Sequence, residues 1–237
     1  MFNKILDILF PQFCLNCKRE GNIVCPDCLG LIEIWEYQYC PFCQTPKRVI
    51  DRGKCASHQS RKLDGLFSAT SYQNNLVKKM LFNFKYEPFL KVLSRPLAFL
   101  IISHFLASKN EKIFENRENS FLVPVPLSSF RERWRGFNQA ELIAKELSLV
   151  SEIPVATKNL VKSRKTEFQA KLKKEQRQEN VRGAFSIKNP EQIRGKTLFL
   201  IDDVFTTGAT MEECALVLKQ GGAKRVWGIA VAREIME

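Results

Sequence analysis

The chain has 237 residues, 45 % of them hydrophobic and 18 of them phenylalanine, enough for one ordinary domain plus a small module, so wholesale disorder is excluded. Lysine and arginine number 37 against 25 aspartates and glutamates, and the resulting net charge of +12 favours polyanionic partners such as phosphates, nucleic acid or anionic lipid. No apolar run approaches the roughly 20 residues of a membrane span. The stretch Met1–Phe10, interrupted by Lys4 and Asp7, is too short for a secretory segment, so the cytoplasm is the expected compartment.

Phe2, Ile5, Leu6 and Leu9 recur at i, i+3, i+4 and i+7, which predicts a short amphipathic helix that packs on neighbouring chain. Seven of the eight cysteines then fall between positions 14 and 55. The spacing is Cys14-x2-Cys17-x7-Cys25-x2-Cys28, followed by Cys40-x2-Cys43-x11-Cys55-x2-His58. Disulfides need an oxidising compartment, which nothing here suggests. Four C-x2-C/H knuckles suit zinc, because each bends the chain so that two ligands converge on one tetrahedral ion. Sequential pairing gives one site of four cysteines and a second of three cysteines and His58; cross-braced pairing is open on spacing alone. Both sites have four protein ligands and read as structural. Residues 1–60 are too few for a large core, so metal supplies much of this module's folding free energy.

From about Arg61 to residue 237 the texture changes to alternating strand and helix patterns, predicting a second domain. Leu66–Tyr72 reads as a strand. Leu76–Tyr86 and Phe89–Leu106 read as helices divided at Pro88, with His104 at the edge of an apolar face. Asn110–Asn119 reads as a charged loop, Phe121–Val125 as a short buried strand, and Gly136–Leu149 as a helix. Lys171–Asn180 is polar almost all round, an exposed helix or a mobile segment. Thr197–Ile201 and Arg225–Ala232 are strands on either side of a helix, Ala209–Gln220, that closes at Gly221-Gly222. Such a β-loop-α-β unit predicts a parallel sheet covered by helices. G-x-G-x-x-G does not occur, and Gly195-Lys196-Thr197 reads as a turn rather than a P-loop end. Cys214 reads as a small buried core residue.

The segment Leu198-Phe-Leu-Ile-Asp202-Asp203-Val-Phe-Thr206-Thr207-Gly208-Ala209-Thr210 carries the chemistry. An apolar strand runs into paired acids, then into a Thr/Gly loop that opens a helix, at the strand end where α/β sheets bind ligands. Thr206, Thr207 and Thr210 offer hydroxyls, and the loop amides and helix N-terminus suit a phosphate monoester. Asp202 and Asp203, repelled by phosphate, suit sugar hydroxyls or Mg²⁺. This run resembles the phosphoribosyl pyrophosphate (PRPP) motif of type I phosphoribosyltransferases. The resemblance implies ribose contacts for Asp202 and Asp203, and 5-phosphate contacts for Thr206, Thr207, Gly208, Ala209 and Thr210. A second, Arg-rich loop follows the Phe121–Val125 strand: Ser128 and Ser129 with Arg131, Arg133 and Arg135 are candidates for a pyrophosphate. Trp134 and Phe137 lie among those arginines, as core aromatics or as stacking surfaces for bases.

Over almost the whole chain the knuckles, Tyr72, Lys85-Tyr86, the run Val123–Gln139 and the run Gln169–Phe185 resemble the ComF (ComFC) family of competence-associated proteins. The resemblance implies an N-terminal double zinc ribbon before a type I phosphoribosyltransferase-like parallel sheet flanked by helices. It also implies a role in DNA uptake, with single-stranded DNA and a competence-machinery protein as partners. Gln169, Arg177 and Asn180 would belong to the hood over the ligand. An active PRPP- and Mg²⁺-dependent transferase with unknown acceptor, or a PRPP sensor controlling a partner, are the alternatives.

Overall fold

The computed structural model describes residues 11–43, 45–49, 53–164 and 174–234. The predicted helix at Phe2–Leu9, Gln169 and the first three residues of the polar stretch Lys171–Asn180 lie outside the described residues.

Among the described residues, six strands and seven helices organise the chain. In order they are α1 (Pro26–Gly30), β1 (Gly65–Ser71), α2 (Asn75–Lys85), α3 (Ser94–Ala107), β2 (Ser120–Pro124), α4 (Ser129–Arg135) and α5 (Gln139–Ser151). Then follow β3 (Leu160–Lys162), α6 (Lys174–Val181), β4 (Phe185–Ile187), β5 (Thr197–Phe205), α7 (Ala209–Gln220) and β6 (Arg225–Arg233). Four strands pair in the order β1-β6-β5-β2, all parallel. The two central strands read as continuous apolar runs because helices cover both faces of the sheet. Leu198 to Ile201 of β5 and Ile229 to Ala232 of β6 are fully buried.

One core layer joins Phe199, Ile201 and Ile229 to α2, α3 and α5; the other joins Leu198, Leu200 and Ala230 to α7, where Met211, Cys214 and Leu218 are buried. Cys214 is the core residue expected, its thiol held well above the usual range by burial. His104 is also interior, its Nδ1 against the Trp35 carbonyl. The antiparallel pair β3–β4 stands apart from the main sheet.

Several boundaries differ from expectation. The helix predicted from Phe89 begins at Ser94, after a 3₁₀ turn at Lys91–Leu93. The helix predicted from Gly136 begins instead at Gln139, because Gly136 takes φ +76° as the C-cap of the preceding helix α4. Asn138 then caps α5, its Oδ1 accepting from Ala140 N at 3.0 Å, while its Nδ2 donates to the Val125 carbonyl at 3.1 Å. The strand predicted to stop at Ile201 continues to Phe205, so both acids lie within it. β3 and β4 were not anticipated: three-residue strands fall below the length at which alternation is readable.

The ribbon segment is fused to this scaffold. Cys14, Val24, Cys25, Cys28 and Ile32 share the core layer of Phe67, Leu76 and Leu97. Trp35 N donates to the Ala69 carbonyl at 2.9 Å, and Thr70 Oγ1 donates to the Glu33 carbonyl at 2.6 Å. Among the described residues no helix is long and apolar enough to cross a membrane.

Phe199 is wholly buried at the sheet centre and packs at a tilt against Phe114, with ring centroids 5.2 Å apart. Phe199→Ala should therefore cost about 3–5 kcal/mol in denaturant unfolding, the usual toll of a large aromatic cavity.

Candidate functional site

At the carboxyl ends of the central strands a cleft of about 450 Å³ opens, lined by Asp202, Asp203, Thr206 and Thr210 from β5 and its loop. Facing them are Lys85 and Tyr86 at the end of α2, Ser128, Arg131 and Arg135 from α4, and Lys162 from β3. Asp203 is only 3 % exposed. Its Oδ1 pairs with Lys85 Nζ at 2.9 Å, and its Oδ2 is buried with no hydrogen-bond partner. Asp202 Oδ1 accepts from Asp203 N at 2.8 Å.

These charges are mutually strained. Burial, and then the neighbouring Asp203, pushes Asp202 up to about 7. Burial works against Lys85, but Asp203 and then Asp202 hold its ammonium above the ordinary lysine range. Burial, and then Arg131, brings Lys162 down to about 8. Burial also lowers Arg131 and Arg135. Arg135 donates to Gln139 Oε1 through Nη1, while its Nε has no partner. The cleft thus holds three acids, Asp202, Asp203 and Glu234, among four cations, with one donor and one acceptor left open.

The structure separates the predicted anion-site residues. Ser128, Arg131 and Arg135 line the cleft, whereas Ser129 and Arg133 are exposed and do not. The α4 helix explains this: Ser128 is its N-cap, its Oγ accepting from Arg131 N at 3.4 Å, and Arg131 and Arg135 share a face one turn apart. Thr206 and Thr210 line the main cleft, while Thr207, Gly208 and Ala209 line a smaller cavity of about 130 Å³ beside it, which Thr206 also borders. Gly208 takes φ +78° at the start of α7, a backbone shape few other residues adopt.

The sequence names Lys85 only within the family resemblance, with no site role, and does not single out Lys162. A lone lysine in the aromatic run Leu81–Tyr86 was a usable signal for Lys85; nothing in its neighbourhood marked Lys162. Phe82, which lines the cleft, and Phe130 and Trp134 on α4 are 59 %, 64 % and 50 % exposed. Trp134 meets Phe89 and Tyr86 edge-on, at centroid distances of 5.2 Å and 6.4 Å. Phe137 instead enters the core, packing on Phe84.

The knuckle side chains gather as two groups, Cys14 with Cys17, Cys25 and Cys28, and Cys40 with Cys43, Cys55 and His58, the ligand atoms of each group within 4.8 Å of one another. A tetrahedron with Zn–S bonds of about 2.3 Å has S···S edges of about 3.8 Å. Cys17–Cys25 is 3.6 Å, and Cys40–Cys55 and Cys43–Cys55 are each 3.7 Å. His58 turns Nδ1 toward the second group, 3.2 Å from Cys55 Sγ and 3.5 Å from Cys40 Sγ. The donor chemistry and spacing fit zinc at both sites, and the grouping is sequential rather than cross-braced.

The strain on Asp202 has a sign. Its folded pKa lies above the unfolded value, so its stabilising contribution is full below about pH 4 and is lost as the pH rises toward 7. Asp202→Asn can keep the bond from Asp203 N without the charge. It should match the wild type near pH 4 and exceed it by about 1–2 kcal/mol above pH 7, read from unfolding curves across that range.

Comparison with known proteins accords with this geometry. Residues 91–234 match the family described as Phosphoribosyl transferase domain, and residues 5–59 match the Double zinc ribbon domain. The chain is 28 % identical to Competence protein F of Haemophilus influenzae, over 92 % of this chain and 96 % of that protein. It is 33 % identical to Competence protein ComFC of Bacillus subtilis, over 91 % of this chain and 86 % of that one. To DNA utilization protein YhgH of Salmonella typhimurium it is 27 % identical, over 91 % of this chain and 94 % of the relative. With a phosphoribosyl transferase domain behind a double zinc ribbon, and a likeness to both competence proteins that runs through nearly its whole length, this chain belongs to the ComF (ComFC) family.

Proposed function

We propose that this chain, in the cytoplasm, binds a PRPP-type ligand in the cleft and single-stranded DNA on the exposed aromatics Phe82, Phe130 and Trp134, in the service of DNA uptake. The observation that carries the ligand reading is the buried, unpartnered Asp203 Oδ2 beside the Lys85-held Oδ1. A ribose hydroxyl donating to that oxygen satisfies it. Asp202 takes the second hydroxyl, and Thr206 to Thr210 take the 5-phosphate with their hydroxyls and amides. Ser128, Arg131 and Arg135, with Lys85 and Lys162, face the pyrophosphate; Ser129 and Arg133 have no part in it. Mg²⁺, held with the diphosphate and the Asp202–Asp203 oxygens, would supply neutralisation of leaving-group charge. In this reading residues 1–60 are the metal module and residues 61–237 the ligand domain.

The DNA reading draws on the printed names of the relatives, on the +12 charge, and on the exposed trio Phe82, Phe130 and Trp134 among arginines. Bases stack on such rings while cations track the backbone. A competence-machinery protein is a further partner that the relatives' names suggest. Transferase turnover is a second reading, favoured by the aromatic cleft wall of Tyr72, Phe82 and Tyr86. A planar acceptor stacked there would attack the anomeric carbon as its bond to pyrophosphate breaks.

Calorimetry with Mg²⁺–PRPP should give saturable binding that Asp203→Asn weakens at least about ten-fold, the worth of one hydrogen bond to a charged group; equal affinities would refute the cleft assignment. Titration with a short oligonucleotide should quench Trp134 fluorescence. Trp134→Ala should weaken single-strand binding about ten-fold with an unchanged salt slope. Arg133→Ala should instead reduce that slope by about 0.7, one phosphate's worth on a single strand.

A further inference from the structure

Arg233 ends β6 as a buried cation, 6 % exposed, and forms no ion pair among the described residues. Its Nη2 donates to the Pro41 carbonyl at 3.2 Å and to the Cys43 carbonyl at 3.0 Å. Both carbonyls belong to the knuckle Cys40-Pro41-Phe42-Cys43. Three thiolates and a neutral imidazole around Zn²⁺ sum to one negative charge, so the second metal centre is the counter-charge that this buried guanidinium otherwise lacks.

On its other side Arg233 reaches the anion loop. It pairs in register with Phe205, and its guanidinium carbon lies 6.0 Å from the Phe205 ring centroid. Glu234 N donates to the Phe205 carbonyl at 2.9 Å. The Phe205 ring in turn fills the space above Gly208, where an added Cβ would stand 2.5 Å from the ring. The cavity of about 130 Å³ is walled by Pro41, Phe42 and Cys43 on one side and by Thr206 to Ala209 on the other.

We infer that Arg233 is a positioning residue that couples occupancy of the second zinc centre to phosphate binding by the Thr206–Thr210 loop. The inference rests on the phosphoribosyl reading of that loop. It adds that metal state and ligand affinity govern one another, since coupling between two sites is reciprocal. Loss of zinc frees the knuckle carbonyls that hold Arg233, and Phe205 and Gly208 lose their backing.

Zinc release from the full chain to a chromogenic chelator, followed with and without Mg²⁺–PRPP, reads this coupling without turnover. Bound ligand should slow one release phase about ten-fold. Arg233→Met should erase that slowing and weaken PRPP by a similar factor, and Arg233→Lys, which keeps the charge but not the fork, should fall between. If the wild type binds PRPP and zinc release ignores it, the coupling is wrong. If the wild type does not bind PRPP, the cleft assignment fails instead, and the coupling is judged on ligand-free release. There Arg233→Met must speed one phase about ten-fold, and an unchanged rate overturns the inference. Should Arg233→Met fail to fold, Arg233→Lys supplies the same readouts.

Discussion

Asp202 and Asp203 follow four wholly buried apolar residues, and burial beside a second carboxylate at the end of a dry strand makes Asp202 resist ionisation. Lys85 answers one of them directly, and Arg131, Arg135 and Lys162 crowd the facing wall. Each of these cations is itself opposed by burial. Neither sign is comfortable without the other, and the empty space between them suits a molecule with hydroxyls at one end and phosphates at the other. α2, α4 and β3 each bring a cation to this cleft.

The scaffold meets this demand through its connections. Parallel order leaves every strand pointing its carboxyl end to one side, so β5 and the chain after β2 deliver their polar residues to the same rim. After β2 the chain turns into α4, stops at Gly136, and restarts at Asn138. One amide side chain both caps α5 and ties back to Val125. The Arg131 and Arg135 pair is therefore oriented by a backbone stop and a cap rather than by loop chance.

Much of this was readable beforehand, and for identifiable reasons. The knuckles follow from their spacing, because two residues between ligands leave few geometries, whereas their sequential pairing is visible only in the structure. The acid pair, Thr/Gly loop and α7 were legible because apolar run, carboxylates and helix opening are contiguous in sequence. What spacing could not convey was Arg133 facing outward, since its direction depends on where α4 begins. Lys162 was invisible: it enters the cleft on a three-residue strand whose partner, β4, lies far along the chain. The end of β5 lies four residues beyond the expected Ile201 because polarity reads as loop, yet both acids lie within the strand and Asp202 pairs with Ala230 of β6.

The first knuckle shares its interior with the sheet. Cys14, Val24 and Ile32 roof the same layer as Phe67 and Leu97, and Trp35 and Glu33 join the backbone and side chain of β1. Truncating the amino-terminal segment would thus strip the lid from a hydrophobic interior rather than unplug an accessory. A cell carrying such a shortened gene would reveal how the protein tolerates exposure of its heart, and would say little about which surface the ribbon offers to others.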